Sequence, residues 1–246
     1  MKSATESAEI GDVITAGGIE TNVHIRRHPT SSDTVLLLHG SGPGVSAFAN
    51  WRLTLPHLEQ EMTVIAPDIV GFGFTERPAD VSYDLETWTA HAVDVLDALG
   101  VARAHVVGNS FGGALALSLA AHHPHRVDRM VLMGAVGVRF DITRGLDSVW
   151  GYEPSVENMR AIMEFFAYDK SLLGDDLAEL RYQASIRPGV QEAFHAMFPE
   201  PRQAALDALC LPEDQVRKID TPTLLVHGRD DQVIPLKASL GLLDLI

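Results

Sequence analysis

Three short segments carry residue types and spacings suited to acyl-transfer chemistry. Gly108-Asn109-Ser110-Phe111-Gly112 is a G-x-S-x-G pattern lying between an apolar run at 104–107 and an Ala/Leu-rich stretch that opens at Ser110. A serine on a sharp strand-to-helix turn presents its hydroxyl to a substrate, and the flanking glycines let strand and helix approach closely. The competing reading is a glycine-rich turn with an idle serine. His39-Gly40-Ser41-Gly42-Pro43-Gly44 follows a second apolar run, 35–38. Its Ser41 N–H, with the N–H of Phe111, suits an oxyanion hole. A phosphate-binding loop is the rival, but the Lys-Ser/Thr of such loops is absent. His39 reads as a brace for this loop. Gly228-Arg229-Asp230-Asp231 follows a third run, 224–226. A carboxylate there can orient a histidine and stabilise its imidazolium. Asp231 is the first candidate and Asp230 the reserve; the rival is a solvated acidic turn.

The elements that must position these residues are legible as a pattern. Apolar runs at 35–38, 64–66, 106–107, 130–133 and 224–226 are too short for helices and do not alternate, as in strands of a parallel sheet buried on both faces. Before them, 12–15 and 21–25 alternate and suit a hairpin around Gly17-Gly18. Between the runs, Leu85, Trp88, Ala92, Val95 and Leu99 share a helical face, with Asp84 as N-cap and Gly100 just past the end. A second helix follows Ser110 and stops before Pro124. Alternating strands and helices predict an α/β fold. The rhythm breaks between Met133 and Thr223, a stretch containing helical patterns at 155–166 and 175–186. We read 1–136 and 206–246 as two parts of one core and 137–205 as a helical lid over the carboxyl ends of the strands, where ligands of such sheets bind.

Composition narrows the function classes. The 246 residues carry a net charge of −14, which disfavours nucleic-acid partners, and the lone Cys210 cannot form an intrachain disulfide. Neither a leader-like apolar segment at the N-terminus nor a membrane-length apolar window is present, so the expected setting is the cytoplasm. His122-His123-Pro124-His125 lacks accompanying Cys or carboxylates and reads as a solvated helix end; no metal is expected.

The elbow GNSFGG, the loop HGSGPG continuing through Val45-Ser46-Ala47-Phe48-Ala49-Asn50-Trp51, and APDIVGFGFTERP at 66–78 resemble the meta-cleavage product hydrolases, α/β-hydrolase-fold enzymes of bacterial aromatic degradation. VWGYEPS at 149–155 and ELRYQASIRPG at 179–189 are similar, within them, to the 2-hydroxymuconate-semialdehyde hydrolases. The resemblance implies hydrolysis of a C–C bond in a small-molecule 2-hydroxy-6-oxo-2,4-dienoate, without cofactor, by a homo-oligomer such as a dimer. It implies Ser110 as nucleophile and Asp231 as acid. The backbones of Ser41 and Phe111 would form the oxyanion hole, and Asn50, Asn109 and Arg187 would hold the dienoate end. Arg187 suits a carboxylate because its guanidinium forms a bidentate fork. Lid residues such as Trp150 and Phe166 would choose the ketone substituent.

One departure stands out. The fold orders its triad Ser, acid, His, yet all eleven histidines precede Asp231. The expected C-terminal strand and helix are likewise missing. The expectation is a C-terminally truncated, nearly inactive form of a hydrolase, since a serine without a base is a poor nucleophile. A carboxylesterase on the same fold and a non-catalytic ligand binder are the alternatives.

Overall fold

The computed structural model describes residues 7–246. The first six residues, part of the N-terminal stretch read above as free of a leader, lie outside the described residues. Seven strands form one sheet: β1 (Asp12–Ala16), β2 (Ile19–Arg26), β3 (Thr34–Leu38), β4 (Thr63–Pro67), β5 (Ala104–Asn109), β6 (Val127–Met133) and β7 (Thr223–Val226). Their order is β1-β2-β4-β3-β5-β6-β7. The β1–β2 hairpin turns at Gly17-Gly18, both at positive φ, and β2 joins β4 antiparallel. All other pairs are parallel.

The unbroken apolar runs take this form because helices cover both faces. Leu36, Leu38 and Ile65 enter the large core with α3 (Leu85–Ala98) and α4 (Phe111–His122). Their neighbours Val35, Leu37, Val64 and Ala66 pack with α1 (Ala47–Trp51) and α2 (Leu55–Leu58). Asp84 caps α3 through the N–H of Thr87 at 2.8 Å, and the helix buries Trp88, Ala92 and Val95 as its periodicity predicts. α4 is buried from Phe111 through Ala120, so a helix of Ala, Leu and Gly without an exposed polar face suits its central place.

β7 departs from the expectation of burial on both faces. Leu224 is 58% and Val226 43% exposed. Among the described residues β7 pairs only with β6, and its burial alternates along the strand, with Leu224 and Val226 on the more exposed face.

Between β6 and β7 lie α5 (Arg144–Trp150), α6 (Val156–Phe166), α7 (Asp175–Ser185), α8 (Val190–Met197), α9 (Arg202–Ala208) and α10 (Glu213–Val216); α11 (Leu236–Leu243) follows β7. Ser155 caps α6 through the N–H of Asn158 at 3.0 Å. The expected boundary at 205 falls inside α9. These helices are joined to α3 and α4 by an aromatic stack. Trp150 lies on Phe198 with centroids 4.2 Å apart, Phe198 meets Phe111 edge-on, and Phe111 meets Trp88 at 4.8 Å. No helix among the described residues is long and apolar enough to cross a membrane.

Candidate active site

Sheet register brings the three sequence segments together. Leu38 pairs with Gly108, Asn109 with Met133, and Met133 with Val226. The loops leaving β3, β5, β6 and β7 therefore share one end of the sheet.

Ser110 sits at φ 52°, ψ −114°, the only positive-φ non-glycine among the described residues. Such backbone costs about 1–3 kcal/mol and persists only where the surroundings enforce it. Here the Ser110 N–H donates to Met133 O at 2.9 Å, and Ser110 O accepts from Gly113 and Val136. The flanking glycines are steric requirements. A Cβ on Gly108 would lie 2.3 Å from Gly112 O, and one on Gly112 would lie 2.2 Å from Leu38 O. Phe111 opens α4, so its N–H is a first-turn donor that the helix itself leaves unpaired.

The loop after β3 is fixed by side chains. His39 donates through Nδ1 to Gly40 O at 2.8 Å and accepts the Ile69 N–H at Nε2 at 3.0 Å. Those partners demand a neutral ring, and burial lowers its pKa to about 4. His39 thus braces the loop. Asn50 Oδ1 accepts from Gly40 N at 2.8 Å and from Asn109 Nδ2 at 3.1 Å. The backbone donor fixes the orientation of the Asn50 amide, and that in turn fixes Asn109. The two bonds use Asn50 Oδ1 and Asn109 Nδ2, the opposite amide atoms of the two side chains. The Trp150 indole N–H donates to Ser41 Oγ at 2.9 Å, tying the insertion to this loop.

Asp231 Oδ1 accepts from the N–H groups of Val233 and Ile234 at 2.8 and 2.9 Å, which holds its turn. Asp230 is exposed and pairs with Arg229 at 3.0 Å. That difference favours Asp231 over the reserve. His227 Nε2 stands 3.7 Å from Asp231 Oδ2, but its nitrogens are committed to Ser239 Oγ at 2.6 Å and Ile234 O at 2.9 Å. Among the described residues, no imidazole hydrogen-bonds to Ser110.

A cavity of about 1180 Å³ opens over these groups. Ser41, Asn50, Asn109, Ser110 and Asp231 line its floor, and Met159, Ile162, Met163 and Phe166 of α6 contribute an apolar part of its wall. Two residues named in the sequence reading lie outside this lining. Trp150 is buried in the aromatic stack and absent from the wall, because its flat ring is sandwiched against Phe198. Arg187 is also absent from the wall. Its guanidinium lies 3.9 Å over the Phe74 ring, Nε donates to Ala184 O, and Nη2 is buried without a partner. Three arginines line the cavity, Arg52, Arg181 and Arg229, and Arg181 is paired with Glu9 at 2.7 Å. Neither Arg181 nor Glu9 was singled out from sequence. Arg181 lies inside the quoted 179–189 segment, whereas nothing local marks Glu9. His122 sits at the end of α4 against Ser118 and Gln215, and the described residues gather no group of three metal-ligand side chains.

The fold and elbow define a class, and comparisons with known proteins agree with it. A family model of the alpha/beta hydrolase fold matches residues 33–244. The chain is 59% identical to a 2-hydroxy-6-oxo-2,4-heptadienoate hydrolase of Pseudomonas putida, over 98% of this chain and 86% of the relative. It is 54% identical to a 2-hydroxymuconate semialdehyde hydrolase of Pseudomonas sp. strain CF600, over 100% of this chain and 86% of the relative. The solved meta-cleavage product hydrolase of Pseudomonas fluorescens IP01, crystallised as a mutant with acetates, superposes with a TM-score of 0.95 at 54% identity, covering 98% of this chain and 87% of that one. The chain belongs to the meta-cleavage product hydrolases of the alpha/beta hydrolase fold.

Proposed function

We propose that this protein hydrolyses the C–C bond beside the ketone of 2-hydroxy-6-oxo-2,4-dienoates, as the names of its close relatives describe for them. The observation that carries the reading is one cavity with chemically distinct parts. A strained serine and the Asn50–Asn109 pair share this cavity with an apolar stretch of α6.

In this scheme the two amides hold the enol and carboxylate oxygens while staying neutral. The dienol becomes a keto tautomer, which turns the departing fragment into a stabilised carbanion. Ser110 and a water complete the cleavage to 2-hydroxypenta-2,4-dienoate and a small acid. The N–H groups of Ser41 and Phe111 stabilise the oxyanion, and Asp231 orients the base. Arg187 is assigned to the carboxylate end, a role supported by its buried Nη2, which lacks the acceptor that a carboxylate would supply. The scheme calls for no metal or organic cofactor. We place the protein in the cytoplasm as a homodimer acting on a freely diffusing substrate, with residues 137–205 as the lid.

The 246-residue chain itself should turn over very slowly, because His39 and His227 are both committed elsewhere. Loss of a triad member leaves on the order of 10³- to 10⁶-fold less activity. Assays of the 246-residue chain on 2-hydroxymuconate semialdehyde check this, and rapid turnover would refute it. An aryl ester run beside the dienoate separates the hydrolase from an esterase. In protein made from the natural gene, we expect the dienoate to react faster and to depend on Arg187, and the ester not to.

A further inference from the structure

Glu9 precedes β1, yet its half-buried carboxylate lines the cavity, 172 positions in sequence from its partner on α7. Oε1 accepts from Arg181 at 2.7 Å, and Oε2 accepts from Ser46 Oγ at 2.7 Å. The side chains of Glu9 and Arg181 are 14% and 18% exposed. The Glu9 carbonyl is held in turn by Asn22 Nδ2 at 3.0 Å. Ser46 is fully buried and caps α1 by accepting the Ala49 N–H at 3.1 Å. The next residue is Asn50, whose side chain organises Gly40 and Asn109 on the cavity floor.

We propose that Glu9 is a positioning residue that couples helix α7 of the insertion to the N-terminus of α1, so that the wall carrying Arg181 and the floor carrying Asn50 are held as one unit. A hydroxyl has a single proton. With that proton given to Glu9, the lone pairs of Ser46 face the α1 amides. Neutralising Glu9 frees the hydroxyl to turn, and the cap weakens. Lifting α7 strips the half-buried Glu9 of its cation, which leaves a partly desolvated charge unpaired. Motion of α7 and fraying of α1 are therefore linked. The pairing also leaves no free carboxylate oxygen on this wall to repel an anionic ligand.

The coupling stands on geometry alone; its effect on ligand affinity rests on the dienoate reading. Hydrogen exchange on the full chain tests the coupling. Glu9→Gln should speed exchange about tenfold in both α7 and the Ala49–Asn50 amides while α3 and α4 keep their rates. Ser46→Ala keeps the ion pair and should loosen α1 but not α7. The double variant Glu9→Arg with Arg181→Glu should restore α7 and leave α1 loose, because a guanidinium has no lone pair to accept the Ser46 hydroxyl proton. Rates in α1 unchanged by Glu9→Gln, or α7 loosened by Ser46→Ala, would overturn the proposal. Binding of 2-hydroxypenta-2,4-dienoate should weaken about tenfold in Glu9→Gln with little change in thermal midpoint. Loosened helices with unchanged affinity would overturn the positioning role, whereas a wild-type chain that binds no dienoate would refute the functional reading and leave the exchange result to judge the coupling.

Discussion

At the scale of single residues, the floor of the cavity is set by what backbone donors require. Gly40 needs an acceptor, Asn50 Oδ1 provides it, and Asn109 follows. Asn50→Asp keeps both accepted bonds but removes the Nδ2 donor and adds a negative charge. The expected outcome is a thermal midpoint close to wild type and at least about tenfold weaker binding of a dienoate ligand, measured by titration. Asn50→Ala should instead destabilise by about 1–3 kcal/mol in urea unfolding, since Gly40 N and Asn109 Nδ2 lose their shared acceptor. The residues readable in sequence were those with local signatures: Ser110 between its glycines, Ser41 in its loop, Asp231 after a strand. Glu9 and Arg181 escaped because their relation exists only after the chain folds back over 172 positions. The placement of Arg187 escaped because Phe74 competes for its guanidinium.

At the scale of elements, periodicity and capping predicted α3, α4, α6 and α7 and all seven strands, since these follow from burial and from short-range hydrogen bonds. The exposed face of β7 was not legible, because an unbroken apolar run marks neither face of a strand. The elbow is the element most exposed to test. Gly112→Ala puts a methyl 2.2 Å from Leu38 O, a rigid strand carbonyl, so β3 and α4 must part. We expect a loss of about 3 kcal/mol or more, or failure to fold, read from the urea midpoint. Gly174→Ala, with open space where the added methyl would lie, is the matched control and should stay within about 0.5 kcal/mol.

At the scale of the whole molecule, buried neutral imidazoles tie stability to pH. His39 and His91 accept backbone N–H groups from Ile69 and Val70, and burial lowers both pKa values from 6.5 to about 4. Below about pH 6.5 the unfolded chain takes up protons that the folded chain refuses, so their stabilisation is full above 6.5 and lost as pH falls toward 4. Asp68, raised by burial to about 6, acts with the opposite sign, but two groups outweigh one. The thermal midpoint should therefore fall between pH 6.5 and 5. His91→Gln can keep both hydrogen bonds without titrating and should flatten the slope; a midpoint that rises on acidification would contradict this account.

The central claim is that the cavity cleaves a dienoate at carbon. It is tested most directly by identifying the products formed from 2-hydroxy-6-oxohepta-2,4-dienoate by protein made from the natural gene, beside its Ser110→Ala variant. The account predicts 2-hydroxypenta-2,4-dienoate and acetate in equal amounts, with at least about a thousandfold loss in the variant. Substrate recovered intact, or equal rates with and without the Ser110 hydroxyl, would contradict it.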